Sequence, residues 1–237
     1  MITCRNLHVY LSSTLRTMPD IHSDFSQRIV IHTRDMPWQP SPIEGVDRRM
    51  LDRLGDEVAR ATSIVRYAPD SRFSPHTHTG GEEFLVLKGV FEDEHGSYPA
   101  GTYIRNPPTS GHTPGSTSGC TIFVKLWQFD PEDRTQVRIN IHESSDEPFY
   151  LYQDHRERVY VQHWQANATV EIDCTGGAEF LVLDGSLTES GDQLVKHSWC
   201  RLPDGYAFRA QTDNAGCRLW IKTKHLIYAR PPAHVQS

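Results

Sequence analysis

The chain has 237 residues, of which 37% are hydrophobic and 23% are charged, a composition typical of a soluble globular protein with one large or two small domains. Its net charge of −6 and isoelectric point near 6.1, with acidic and basic residues interspersed, provide no basic surface for a phosphate backbone. We therefore expect no direct nucleic-acid partner.

The cysteines and the hydropathy pattern narrow the cellular setting. Five cysteines, an odd number, occur without any CxxC pair, so neither a disulfide framework nor a thiolate zinc site is indicated. No window approaches about 18 consecutive apolar residues, and the first twenty residues lack the apolar core of a signal peptide. We expect reduced thiols, a cytoplasmic location and no membrane span.

The predicted elements are short strands. Residues 1–24 show no convincing period and are predicted to be an N-terminal extension. VDRRMLDRLGDEVARA has a helical alternative, but Gly55-Asp56 suits a hairpin turn, and we predict a hairpin. The remaining apolar runs are separated by Gly, Pro, Asp, Asn or Ser and predict an antiparallel all-β barrel or sandwich. They are RIVIH, ATSIVRY, EFLVLKG, TYIRN, TIFVKLW, RVYVQHW, EFLVLDG and RLWIKTK.

An internal repeat divides the chain. GGEEFLVLKG (80–89) recurs 96 residues later as GGAEFLVLDG (176–185), with eight of ten positions identical. TYIRNPP aligns with SWCRLPD at the same spacing, and GCTIFVK aligns with GCRLWIK at a spacing of 97. A repeat of this length indicates two copies of one small β domain rather than a solenoid. We predict domains at residues 25–135 and 136–237, packed against each other.

A cluster of potential metal ligands precedes the first repeated run. In SPHTHTGGEEFLVLKG, His76 and His78 lie two residues apart on one strand face, and Glu82 follows the Gly80-Gly81 pair. His112 lies in a Pro/Gly-rich loop that could return to the same barrel mouth. Three imidazoles and one carboxylate suit one divalent ion such as Fe, Mn, Ni, Cu or Zn, and leave open coordination positions.

The second copy tests this interpretation within the same chain. A lone strand histidine is usually a hydrogen-bonded structural residue. Here all four candidates change together in the second copy, where the matching residues are Ile172, Cys174, Ala178 and Phe208. Loss of the whole set is expected if the four residues share one ion, because a partial site would leave unpaired buried polar groups. We predict a metal in the first domain and none in the second.

The run from His76 to Gly89 also resembles a known family. It fits the first cupin motif, HxHxxxE followed by glycine after six intervening residues, and the region 28–130 resembles the cupin-like C-terminal domain of ChrR anti-sigma factors. The resemblance implies a double-stranded β-helix (jelly-roll) fold, with residues 140–228 as a degenerate second cupin. It also implies a homodimer.

Two departures from the family patterns affect the prediction. The usual second cupin motif has a histidine where this chain has Ile104, and the similarity to ChrR gives the role of third histidine to His112. The sigma-binding HxxxCxxC module of ChrR has no counterpart in the chain, so sigma-factor binding is not expected.

Open coordination positions on the metal are compatible with two functions, and in both the protein binds a small molecule. In one, the domain uses Zn, Fe, Ni or Mn to sense a ligand or an oxidant. In the other, an Fe(II)-type dioxygenase acts on a small dicarbonyl or enol-type substrate, with Glu82 as a fourth ligand or a base. A purely structural metal is less favoured, because the second copy is expected to fold without one.

Other polar and aromatic residues have simpler interpretations. His95 is expected in a solvated turn, and Glu83 on the strand face opposite to Glu82. Tyr103, Arg105 and Lys125 lie on strands near the barrel mouth, where packing is favoured over contact with an anionic substrate. The tryptophans are expected to be core or interface anchors, and Cys120 and Cys217 to be buried, inert thiols.

Overall fold

The computed structural model of the chain describes residues 19–56, 58–141 and 147–232. Within these residues the chain forms twenty β-strands and two single-turn 3-10 helices. In chain order the strands are β1 (Ile29–His32), β2 (Gln39–Pro40), β3 (Val46–Leu54), β4 (Arg60–Tyr67), β5 (Ser71–Arg72), β6 (His76–Thr77), β7 (Glu82–Asp93), β8 (Gly96–Pro99), β9 (Thr102–Asn106), β10 (Gly111–His112), β11 (Gly115–Ser116), β12 (Cys120–Leu126), β13 (Val137–Asn140), β14 (Phe149–Gln153), β15 (Arg158–Trp164), β16 (Thr169–Ile172), β17 (Ala178–Glu189), β18 (Asp192–Val195), β19 (Ser198–Leu202) and β20 (Phe208–Thr223). The 3-10 helices span Thr33–Asp35 and Leu226–Tyr228. In the described part of the chain, no helix is long and apolar enough to cross a membrane.

The strands form two large antiparallel sheets with matching connectivity. The ten-stranded sheet has its main path in the order β13-β9-β7-β12-β4-β3-β2, and the eight-stranded sheet in the order β1-β19-β17-β20-β15-β14. The long strands β7 and β17 are repeat counterparts and occupy corresponding positions. β6 and β10 form a separate pair. The predicted all-β jelly-roll architecture with two tandem cupin barrels is confirmed, and the predicted hairpin is formed by β3 and β4.

In the repeated EFLVL runs, successive side chains point to opposite faces of the strand, and both faces are buried. Phe84 and Val86 pack in the core of the first barrel, whereas Leu85 between them packs in a cluster shared with the second half of the chain. In the second copy, Phe180 and Val182 pack inside the barrel and Leu181 joins the shared cluster. One strand face therefore fills a barrel and the other face joins the two barrels.

Buried charges accompany this shared apolar cluster. Lys222 Nζ contacts Glu83 and lies 2.8 Å from Glu157 Oε2, and Lys125 Nζ contacts Glu179. The Tyr103 hydroxyl donates to Glu83 at 2.6 Å. These side chains are almost fully buried, so the two halves of the chain are joined by ion pairs as well as by apolar packing.

Short strands also connect the two halves. β1 pairs with β19 of the eight-stranded sheet, and β13 pairs with β9 of the ten-stranded sheet. Each therefore joins a sheet formed mainly by the other half of the sequence. A division of the chain at residue 135 does not account for this exchange of strands. The predicted domain limits themselves stay a prediction.

The predicted N-terminal extension lies mostly outside the described residues. Of residues 1–24, the structure describes 19–24. Here Ile21 forms an isolated antiparallel bridge with Arg53 of β3, and its backbone N–H donates to the Arg53 carbonyl at 2.9 Å. The end of this segment is therefore attached to the first barrel.

Candidate metal centre

Three histidines converge at one end of the first barrel. β6 pairs with β10 so that His76 lies opposite His112, and His78 follows directly after β6. The ring centroids are 4.7 to 5.1 Å apart, and one ligand atom from each imidazole lies within 4.8 Å of the others. His78 and His112 are buried, whereas His76 is exposed. The three-histidine group could hold a metal ion, with its open side at His76.

The carboxylate of Glu82 lies against this group. Its Oε2 is 3.2 Å from His78 Nε2 and 3.6 Å from His112 Nε2. Burial raises the pKa of the Glu82 carboxyl, but His78 and the other two imidazoles outweigh this effect and leave the pKa below its ordinary value. Glu82 is therefore an anion at neutral pH, and the structure brings together all four residues singled out from the sequence.

The turn between His78 and Glu82 depends on two glycines. Gly81 has a φ of +77°, a backbone conformation that side chains disfavour. A Cβ atom on Gly80 would lie 2.1 Å from Trp127 Cδ2, and one on Gly81 would lie 2.4 Å from the Phe129 ring. Trp127 and Phe129 therefore pack directly on the turn and hold His78 and Glu82 at their separation.

The second nitrogen of each imidazole faces an oxygen atom. His78 Nδ1 lies 3.0 Å from Ser110 Oγ, whose hydroxyl donates to the Pro107 carbonyl at 2.6 Å. His76 Nδ1 is 3.4 Å from the Ser74 carbonyl oxygen. His112 Nδ1 is 3.4 Å from Asp93 Oδ2. These oxygens favour a proton on each Nδ1, which leaves the Nε2 lone pairs available as ligands.

The sequence interpretation did not identify Asp93 and Ser110. Asp93 ends β7, and its Oδ1 accepts hydrogen bonds from the His95 and Gly96 backbone N–H groups and the Tyr98 hydroxyl, at 2.8, 3.1 and 3.0 Å. These bonds fix the carboxylate, and its other oxygen faces His112. A signal was present in EDEHGSY, where an aspartate two residues before His95 is typical of an Asx turn.

The donor atoms fit a divalent transition metal. His78 Nε2 and Glu82 Oε2 are buried and make no hydrogen bond, which is costly unless another group satisfies them. Burial also lowers the pKa of His112, although Glu82 opposes the shift, so its imidazole is neutral at neutral pH. Neutral imidazoles with one carboxylate are the donor set that Fe, Mn, Ni and Zn accept.

The second barrel has an apolar core at the corresponding place. Ile172 pairs with Phe208 in the register that His76 and His112 adopt in the first barrel. These two residues, together with Cys174 and Ala178, belong to one buried hydrophobic cluster. The backbone arrangement is therefore retained, while the metal-ligating side chains are replaced by apolar packing.

The remaining expectations concern residues outside the cluster. His95 is exposed in a turn, and Glu83 points away from Glu82 into the buried contact with Lys222. Tyr103, Arg105 and Lys125 are buried in the shared region between the barrels. Trp199 and Trp220 belong to the shared apolar cluster. Cys120 and Cys217 are buried, and burial raises the pKa values of their thiols to about 11 and about 12.

Comparisons with known proteins agree with this architecture. A family model described as the ChrR cupin-like domain matches residues 26–130. No curated protein matches the chain.

Among solved structures, a putative dioxygenase from Nostoc punctiforme is 14% identical, with a TM-score of 0.70 over 90% of this chain and 88% of that one. The bacterial pirin YhhW from Escherichia coli, solved with nickel(II), is 12% identical, with a TM-score of 0.64 over 87% of this chain and all of that one. The salicylate 1,2-dioxygenase of Pseudoaminobacter salicylatoxidans is 11% identical, with a TM-score of 0.53 over 74% and 76%. These likenesses support the shared fold: the chain has a two-barrel cupin fold, and its residues 26–130 match the model of the ChrR cupin-like domain family.

Proposed function

We propose that the protein is a metal-dependent dioxygenase-type enzyme that acts on a small dicarbonyl or enol-type substrate. The observation that carries this proposal is the convergence of three imidazoles and the Glu82 carboxylate on one point, with His76 exposed at the edge of the group. A fully enclosed four-ligand site would serve a structural ion. An open side gives a small ligand access to the centre.

The four side chains would have different roles at this site. His76, His78 and His112 would hold the metal through Nε2, because their Nδ1 atoms face other oxygens. A divalent metal would supply a Lewis-acidic centre with open coordination positions for a substrate with two oxygen donors. Glu82 would be a fourth ligand or would accept the proton that an enol loses on binding, which its ionised state at neutral pH permits.

The apolar interior of the barrel supports chemistry on an organic substrate. Phe91 packs against the His112 ring with centroids 5.6 Å apart, and Phe84 packs on Phe91 at 4.6 Å. Both phenylalanines are 1% exposed. They exclude water from the buried side of the centre, which strengthens the electrostatic interactions there.

A second candidate function is ligand sensing, which one packing feature favours. The turn between His78 and Glu82 packs on Trp127 and Phe129, which lie beyond the end of β12 where the two halves of the chain meet. A change at the metal could therefore reach the junction of the barrels. Sensing of oxidants through thiols is less favoured, because the four cysteines in the described part of the chain are all buried.

Metal content and oxygen uptake distinguish the two functions. Protein purified without added metal or chelator should contain about one iron per chain, and it should consume oxygen when 2,4-pentanedione or another small dicarbonyl is added. The matched control is His112→Phe, which installs the residue of the second barrel and should lose both metal and uptake. Zinc as the native metal, with no uptake after loading with Fe(II), would refute the enzyme and favour the sensor.

A further inference from the structure

A cavity of about 400 Å³ lies at the junction of the two halves of the chain. Most of its lining comes from the segment that follows β12 and from the segment that follows β20, and Arg60 of β4 and Arg156 complete it. Gln128 and His225 hold corresponding positions in these segments, 97 residues apart, and both line the cavity. The volume is in the range that holds a small organic molecule. This cavity is separate from the histidine cluster, none of whose residues line it.

Three arginines line the cavity, and its described lining includes no carboxylate. Arg60 is 3% exposed. Its Nη2 donates to Gln128 Oε1 at 3.0 Å, whereas its Nη1 makes no hydrogen bond and lies 3.6 Å from Asp52 Oδ2. That carboxylate also accepts from Arg201 at 3.2 Å. One buried carboxylate is therefore shared by two buried guanidinium groups, and Arg60 keeps capacity for another anion.

The other two arginines lie nearer the surface. Arg156 donates to Asp130 at 2.5 Å and stacks on the Tyr228 ring at 4.4 Å. Arg230 is exposed on the segment that closes the cavity. Together with Arg60 they place positive charge on more than one side of the space, which favours an anionic occupant.

Apart from Gln128 and His225, the rest of the lining is apolar and presents flat side-chain faces. They are formed by Trp127, Phe129, Tyr228 and three prolines. Aromatic and proline faces suit a planar hydrocarbon body rather than a compact hydrated ion such as phosphate. We propose that this cavity binds a small aromatic carboxylate, with the carboxylate facing the arginines and the ring between the aromatic walls. The proposal does not depend on the proposed enzymatic function.

Calorimetric titration of the full chain with benzoate tests the site. Benzoate should bind, and Arg156→Gln and Arg230→Gln should each weaken its affinity by about tenfold, as expected for a lost charge-assisted hydrogen bond. Arg209→Gln, which changes an exposed arginine of β20 outside the lining, should leave the affinity unchanged. His112→Phe should also bind benzoate as the unmodified protein does, which separates this site from the metal centre.

Three further probes identify what the site recognises. Acetate has the carboxylate without the ring, and benzyl alcohol has the ring without the carboxylate. Both should bind at least about tenfold more weakly than benzoate. Inorganic phosphate should not compete. Absence of benzoate binding would overturn the proposal, as would binding that survives both arginine substitutions in variants whose thermal unfolding shows them folded. Phosphate binding in place of benzoate binding would also overturn it.

Discussion

Replacement of Lys222 by methionine tests whether buried ion pairs hold the two barrels together. Its Nζ contacts Glu83 and lies 2.8 Å from Glu157 Oε2, and all three side chains are almost fully buried. Burial lowers the pKa of Lys222, but Glu157 and Glu83 outweigh this effect and raise it above its ordinary value. The lysine is therefore charged at neutral pH, and Lys222→Met leaves two carboxylates facing each other without their shared cation.

The expected loss of stability follows from the partners that remain. Glu83 keeps the Tyr103 hydroxyl at 2.6 Å, and Glu157 keeps Arg105 at 3.1 Å. Removing one partner of a buried ion pair usually costs about 3–5 kcal/mol of unfolding free energy, because the other charge stays buried. Adding Glu83→Leu to Lys222→Met should recover much of this loss, because an apolar replacement of both partners removes the uncompensated charge.

Urea denaturation followed by tryptophan fluorescence gives the unfolding free energies. Lys196→Met is the matched control, because this lysine is exposed and pairs with Asp184 at 3.4 Å. An exposed pair contributes at most about 1 kcal/mol, so the control should lose little. A loss below about 1 kcal/mol for Lys222→Met would refute the reasoning, as would a double variant that is less stable than the single one.

Three further predictions concern the metal centre and the dependence on pH. Asp93→Asn should weaken metal affinity by about 10- to 100-fold, measured by competition with a chelator, because Asp93 faces His112 Nδ1. Gly80→Ala should also weaken metal binding, because its Cβ would lie 2.1 Å from Trp127 Cδ2; Gly176→Ala, in the matching turn of the second barrel, should reduce stability but not metal affinity. Burial and the nearby Arg34 lower the pKa of His197 from 6.5 to about 4, so the folded state favours the neutral imidazole. Stability should therefore be full above pH 6.5 and fall as the pH drops toward 4, and His197→Gln should reduce that slope in thermal unfolding.

The sequence alone was sufficient to predict the fold and to identify the four candidate metal ligands. The reason is the repeat, which supplies an internal comparison: the apolar framework recurs while His76, His78, Glu82 and His112 are replaced together. A single copy would have left each histidine open to a structural interpretation.

Other features depend on contacts that sequence periodicity does not encode. Ser110 reaches His78 across 32 residues, and Asp93 reaches His112 through a loop whose path is set by the barrel. β1 joins the sheet of the distant β19 although its own apolar run is ordinary. Strand pairing between distant segments follows from the packing of the two barrels, and no local pattern in IVIH identifies its partner.

The contacts between the barrels explain why the second copy retains its framework without the metal ligands. The repeat relates Glu83 to Glu179, Lys125 to Lys222, and Tyr103 to Trp199. In the structure, Glu83 contacts Lys222 of the second copy and Glu179 contacts Lys125 of the first.

The aromatic donors follow the same two-fold relation, each within its own copy. Tyr103 donates to Glu83, and Trp199 Nε1 donates to Glu179 at 3.2 Å. Each contact therefore occurs twice with the two copies interchanged, which is the arrangement of a two-fold symmetric dimer interface. The glutamate and lysine of this interface are the same in both copies, and an aromatic hydrogen-bond donor is present in both, whereas the metal-ligand candidates of the first barrel are absent from the second. The second barrel thus covers the apolar face of the first and supplies the counter-charges for Glu83 and Lys125, as the second subunit of a dimer would. Neither role requires a metal.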